Sequence, residues 1–506
     1  MKRLFALFLS SLLVAGCAQT VDLSNVDEVL SEADAASGQQ ETQDESEPLS
    51  SANQDPKIDF PVFELSTLRE SPDVCKIQEN SRMRRPGDEL IDFSGRDEIK
   101  GLYTGNATAF PFNPTTLPVL GQLHVSFIPV DWSDSRGTPG DMERYKSEAQ
   151  LFADFWAMVS EGKLEIVTDF PSEWFRIPGS VSDFRMTPEE EGQRFDGRPK
   201  KQALWDAIVE ASDPYMDFSN THVAIPVWPT GRTVSDEGPH DFNFDWNSFM
   251  ATNEGNIYDI AGAGDWFLDH LEYGGPWFYW VHEVGHMLGI PHQSSEDPEF
   301  RDESIDFRTV FWLQNPLNGY DVMGNQDGPT KTLSSWLRWL PGWLDDEQVI
   351  CVKEDSIEDE VFELYPINRT NGEVEALVVK LSEEMVVVVE SRRFDPKFDF
   401  EIPYSRDGLV VYTVDATKAT SQGNMAIVSP RDITHWLEVQ HWRGSETLDG
   451  TFYEGDSVRL GWLNIEAISI QNQVDFVRVT RTDEWVDPAP PPKGTMGQRR
   501  QTSFEG

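Results

Sequence analysis

The sequence predicts an α+β chain in which alternating helices and strands are followed by an antiparallel, sandwich-like β region. Three observations lead there. Between about residues 100 and 345, strand-like apolar runs alternate with segments of helical period. From about 346 to 482 the texture changes to short β-branched runs separated by turn residues. Finally, 506 residues are enough for two or three domains with cores of their own.

The N-terminus reads MKRLFALFLSSLLVAGC. Lys2 and Arg3 precede a short apolar run from Leu4 to Val14, too short to span a bilayer, as in a secretory signal peptide over 1–16. The Val14-Ala15-Gly16-Cys17 ending resembles a bacterial lipobox, which implies that Cys17 becomes the acylated first residue of the mature protein. The expected location is therefore the bacterial cell envelope, extracytoplasmic and lipid-anchored, or else secreted, with the membrane touched through the lipid anchor only. Residues 17–58 are polar and acidic and read as a disordered linker, and 59–100 as an N-terminal extension.

Leu123 to Val130 is the first strand of the alternating region. Asp141 to Val159 follows as a helix, with Met142, Tyr145, Ala149, Phe152 and Trp156 on one stripe. Lys200 to Ala211 is a second helix and His222 to Val227 a second strand. Beyond 346, strands are expected at Val361–Tyr365, Ala376–Leu381, Val386–Ser391, Leu409–Val414, Ser457–Leu460 and Phe476–Thr480. Residues 483–506, with Pro488 and Pro490 to Pro492, read as a flexible tail.

Charge excludes one class of partner. Lys and Arg total 41 against 88 Asp and Glu, a net charge of −47, which repels phosphate backbones and argues against nucleic acid. Of three cysteines, lipidation of Cys17 leaves Cys75 and Cys351, and in an oxidising compartment the simplest expectation is a disulfide between them. A rival reading places Cys75 as a thiolate over the metal site described next.

Residues 282–292 read HEVGHMLGIPH. Trp277, Trp280, Val284 and Leu288 have helical spacing after Pro276, so His282 and His286, at i and i+4, leave one face of a helix and can share one metal ion. Gly289 can turn the chain at the helix end, and Pro291 forbids further helix and aims His292 back at the same ion. Three imidazoles leave a fourth tetrahedral position open, as catalytic zinc requires. Glu283, beside the first ligand, is placed to act as a general base. Glu296 and Glu299 are available as the third ligand of a rival zinc arrangement, but His292 fills the spacing.

The pattern H-E-x-x-H-x-x-G-x-x-H is the metzincin signature. Downstream, Tyr320-Asp321-Val322-Met323-Gly324 looks like the metzincin Met-turn, in which Met323 forms an apolar floor under the histidines. Together with Ser335–Trp343, Phe155–Leu164, Val388–Arg392 and Gly408–Asp415, these residues resemble the immune inhibitor A family of secreted bacterial metallopeptidases over about 120–480. The resemblance implies a catalytic domain over 101–345 with a mixed sheet and an active-site helix, then a β-rich domain over 346–482. It implies a zinc endopeptidase of extracellular or envelope proteins: His282, His286 and His292 hold Zn2+, Glu283 is the general base for an activated water, and protein or peptide chains are the substrates. It also allows Ca2+, with Asp131, Asp134 and the acidic stretch from Glu296 to Asp306 as candidate ligands. Two alternatives stay open: a non-catalytic zinc-containing surface lipoprotein acting as a binding or scaffold module, and an enzyme for glycosylated or wall-linked peptides. Substrate specificity and oligomeric state are not legible.

Overall fold

The computed structural model describes residues 63–78, 108–112, 116–184, 198–229, 249–261, 275–291, 317, 319–324, 330–369, 372–399, 407–418, 424–430, 450–471 and 473–487. The expected signal peptide, Cys17, the linker, His292 and the stretch from Glu296 to Asp306 lie outside them. The chain divides into two units between Phe63 and Glu64, and the second, from Glu64 to Gly506, holds everything below.

After a short helix α1 (Pro72–Cys75), the first half is a sheet with helices on it. Strand β1 (Gly121–Asp131) leads to helix α2 (Pro139–Val159). Thr138 caps α2: its Oγ1 accepts the Asp141 N–H while the Asp141 carboxylate accepts the Thr138 N–H, and Pro139 pre-sets the first turn. Strands β2 (Leu164–Asp169) and β3 (Phe175–Arg176) follow, then helix α3 (Arg198–Ser212) and strand β4 (Val223–Val227). A two-stranded ribbon, β5 (Met250–Ala251) and β6 (Asn256–Ile257), precedes β7 (Asp259–Ile260). The sheet runs β2-β1-β4-β7, with β3 on the far end of β1.

Where a mixed sheet is expected, every pairing of this sheet among the described residues is parallel. The β1–α2–β2 and β2–α3–β4 connections explain it: a helical crossover returns the chain to the same end of the sheet. Both faces are covered. Leu123, Val125 and Phe127 of β1 pack with α2 and with residues 277–288, while Ile128 and Val130 share a second cluster with Leu204, Trp205 and Ile208 of α3.

The second half contains β8 (Val349–Lys353), β9 (Asp359–Leu364), β10 (Ala376–Lys380), β11 (Met385–Arg392), β12 (Gly408–Asp415), β13 (Met425–Ile427), β14 (Thr451–Phe452), β15 (Ser457–Ile470) and β16 (Asp475–Val486). One sheet runs β13-β12-β11-β10-β8, with β14 added to β12; a second runs β15-β16-β9. The expected antiparallel pattern holds except between β8 and β10, which pair parallel. These two strands are separated by the excursion through β9 into the other sheet, so they meet without a hairpin. Strand β16 continues to Val486, so residues 483–486 are strand where the sequence suggests tail. Their side chains are largely exposed, which removes the apolar alternation that reveals a strand.

The runs Val386–Val389 and Leu409–Val411 are continuously apolar because the six-stranded sheet is buried on both faces. Val378, Val386, Val388, Val410 and Tyr412 face the first half; Leu377, Val379, Val387, Val389 and Val411 face the three-stranded sheet. One apolar cluster therefore crosses position 345 without interruption. The N-terminal extension is bound to this half: Ser66 N–H donates to Val361 O, Glu70 N–H to Cys351 O, and Cys75 is disulfide-bonded to Cys351. That pairing leaves no thiolate at Cys75 to cover a metal. None of the described helices is long and apolar enough to cross a membrane.

Candidate metal centre

The metal motif lies on helix α4 (Trp277–Met287), all of whose residues are buried. The helix is buried around its whole circumference, polar residues included, and α2 packs against it. Its start is held by Glu148 of α2, whose Oε2 accepts the Trp277 N–H at 3.4 Å. Gly275 (φ 78°) lets the carboxylate come this close, because a Cβ there would lie 2.4 Å from it. Burial pushes the Glu148 carboxyl up to about 7, against the opposing pull of the Trp277 N–H.

Helix α4 ends in a Schellman turn. Ile290 N–H donates to Gly285 O and Gly289 N–H to His286 O, with Gly289 at φ 101°. The same turn brings Ile290 O to 3.0 Å from His286 Nδ1. At the other histidine, Val322 O lies 2.8 Å from His282 Nδ1. A carbonyl only accepts, so each Nδ1 carries the hydrogen and each neutral ring keeps its Nε2 lone pair. The two Nε2 atoms face each other at 3.2 Å, with the rings nearly perpendicular at 84°. Two nitrogens bound tetrahedrally to one zinc at ordinary bond lengths stand about 3.3 Å apart. Burial lowers His286 to about 4, which keeps the ring neutral at pH 7, the form that ligates.

Glu283 follows His282 directly and retains 9% exposure. Met323 is fully buried and lies against helix α4: a Cβ on Gly285 would meet its Sδ at 2.5 Å. The loop carrying Met323 is closed by Asp321, whose Oδ1 accepts the Met323 N–H at 2.8 Å and Oδ2 the Ser334 N–H at 2.6 Å. Burial raises Asp321 to about 6 despite these two donors.

The structure thus brings the His282 and His286 rings together, sets Met323 against Gly285 of the same helix, and joins Cys75 to Cys351. His292 lies outside the described residues, and among those residues no group of three His, Cys, Asp or Glu forms a metal cluster. Of the Ca2+ candidates, Asp131 is gripped by Arg176 through two charge-assisted bonds of 2.5 and 2.7 Å and also accepts the Gly137 N–H. Asp134 accepts the Val181 N–H.

Sequence reading misses three contributors. Gly285, a glycine inside a helix one residue before a ligand, carries a signal, since such a position needs a packing reason. Glu148 looks like an ordinary polar position of α2. Asp321 sits in plain view within the Met-turn resemblance, but its hydrogen-bonding role depends on Ser334, which only the fold brings near. No protein-family model and no curated protein matches the chain.

Proposed function

We propose that this chain is a zinc-dependent endopeptidase of metzincin type, its catalytic region followed by a β-sandwich, and that it works outside the cytoplasm on protein or peptide substrates while held by a lipid on Cys17. The observation that carries the reading is the pair of imidazole Nε2 atoms 3.2 Å apart, each ring fixed by a carbonyl on its Nδ1. Backbone partners of this kind fix the tautomer and orientation of metal-ligating histidines. His282 and His286 would hold the ion, and His292 would complete the set from beyond the helix end.

Zinc, when bound, supplies Lewis acidity and lowers the pKa of water toward 7. Glu283 takes a proton from the attacking water and returns it to the leaving amine. Met323 and the buried helix keep bulk water away from the back of the site. Among the described residues strand β7 ends its sheet, and an extended substrate backbone would pair there.

The test is metal content together with casein hydrolysis. One zinc per chain, hydrolysis abolished by chelator, and a Glu283→Gln variant that keeps its zinc but not its turnover are the expected results. Full activity in that variant removes the general base. Inertness towards broad peptide libraries with zinc bound favours the scaffold alternative.

A further inference from the structure

We propose that the buried Glu390–Arg392 pair of strand β11 is a positioning element of the metal centre, so that the β-rich half orients His282. The inference rests on the zinc reading above. Two described segments, 320–324 with the Met-turn and 330–336, are hydrogen-bonded side by side as the limbs of an arch. At one foot, an Arg392 guanidinium N–H donates to Tyr320 O. At the other foot, Glu390 Oε2 accepts the Ser335 N–H at 2.7 Å and the Tyr412 hydroxyl at 3.0 Å, and that hydroxyl accepts the Trp336 N–H. Arg392 Nε donates to Glu390 Oε1 at 2.6 Å, so one ion pair holds both feet. Glu390 is fully buried and Arg392 is 5% exposed.

Inside the arch, Asp321 ties Met323 to Ser334, and Val322 N–H donates to Thr332 O at 2.9 Å. The arch has two outputs on the metal helix. Val322 O fixes the His282 ring, and Met323 rests on Gly285. A shift of either foot is passed through Tyr320 and Ser334 to the carbonyl that sets the direction of His282 Nε2. Buried ion pairs give little net stability compared with apolar packing, which leaves orientation as the better account of this one. Lysine cannot reproduce the guanidinium fork that bonds Glu390 and Tyr320 O at once.

The experiment measures zinc affinity by competition with a chromophoric chelator, the absorption spectrum of the Co2+-loaded protein, and thermal unfolding of the metal-free protein. The variants are Arg392→Met, Arg392→Lys and the double Glu390→Gln, Arg392→Met, which removes both members of the ion pair together. Val389→Ala, on the opposite face of the same strand, is the control for stability alone. Expected are a loss of zinc affinity of about 10–100-fold and an altered Co2+ spectrum in Arg392→Met and in the double variant. Arg392→Lys should recover part of the affinity, and Val389→Ala should unfold earlier with zinc affinity unchanged. Wild-type affinity and spectrum in the double variant, or equal weakening by Val389→Ala, overturns the positioning role while leaving the zinc reading intact. Absence of zinc binding by the wild-type protein overturns both.

Discussion

Met323 lies against Gly285, its sulfur where the first side-chain atom of any larger residue would stand, 2.5 Å from that position. Alanine at 285 gains about 1 kcal/mol in helix propensity, but its methyl must displace Met323 within a closed core. Gly285→Ala is expected to destabilise the protein by about 1–3 kcal/mol, as overpacking does. Adding Met323→Ala to Gly285→Ala should cost less than the sum of the two single changes. Chemical denaturation of the four proteins gives the coupling; strict additivity would mean that the two residues do not compete for space.

Zinc should stabilise the fold. Binding to the native state alone contributes about 2.7 kcal/mol when free metal is at 100 times its dissociation constant. Thermal scans with and without chelator should therefore differ by several degrees for the wild-type chain. His286→Ala should bring the two scans together, and a chelator effect that survives in that variant would place the metal elsewhere.

Glu148 should make stability fall as pH rises toward neutrality. Its folded-state pKa of about 7 lies above the ordinary 4.5. Its contribution is therefore fully present below about 4.5 and is lost as pH rises through about 7, since burial penalises the ionised form. A shift of this size corresponds to about 3 kcal/mol across the window. Glu148→Gln keeps an acceptor for Trp277 N–H and cannot ionise. The stability difference between wild type and variant, followed from pH 4 to 8, should tilt against the wild type as pH rises; a flat difference rejects the assignment.

The Cys75–Cys351 disulfide closes a loop across 276 positions. In the chain-entropy model such a loop is worth at most about 5.6 kcal/mol. The double Cys75→Ala, Cys351→Ala variant should shift the denaturant midpoint downward by a large fraction of that amount. Reductant should move the wild-type midpoint and leave the variant unchanged.

Patterns set by burial were legible in the sequence, and patterns set by distant partners were not. The stripe of α2 and the strands Ala376–Lys380 and Leu409–Val414 appear where periodicity and β-branching place them, because each covers an apolar neighbour. The His282–His286 spacing shows directly which rings converge, since four residues make about one turn. Nothing in the run MVVVVESR marks Glu390 and Arg392 as buried: a charged pair closing an apolar strand looks like its solvated end. The parallel pairing of β8 with β10 was equally hidden, because side-chain alternation does not record strand direction. Glu148 escaped notice because its partner, the start of α4, lies 129 positions along the chain.

A ribosome delivers Cys75 long before Cys351, so for most of its synthesis the first thiol has no correct mate. The strap from Ser66 to Glu70 waits likewise for Val361 and Cys351 to arrive. Helix α4, at 277–287, is made before strand β11, whose Glu390 and Arg392 bond the 320–336 segments beside it. The order of manufacture thus leaves Tyr320 and Ser335 without those two bonds until the C-terminal sheet has been added. A nascent chain halted short of β11 would carry His282 and His286 and yet lack the two side chains that hold the loop beside them.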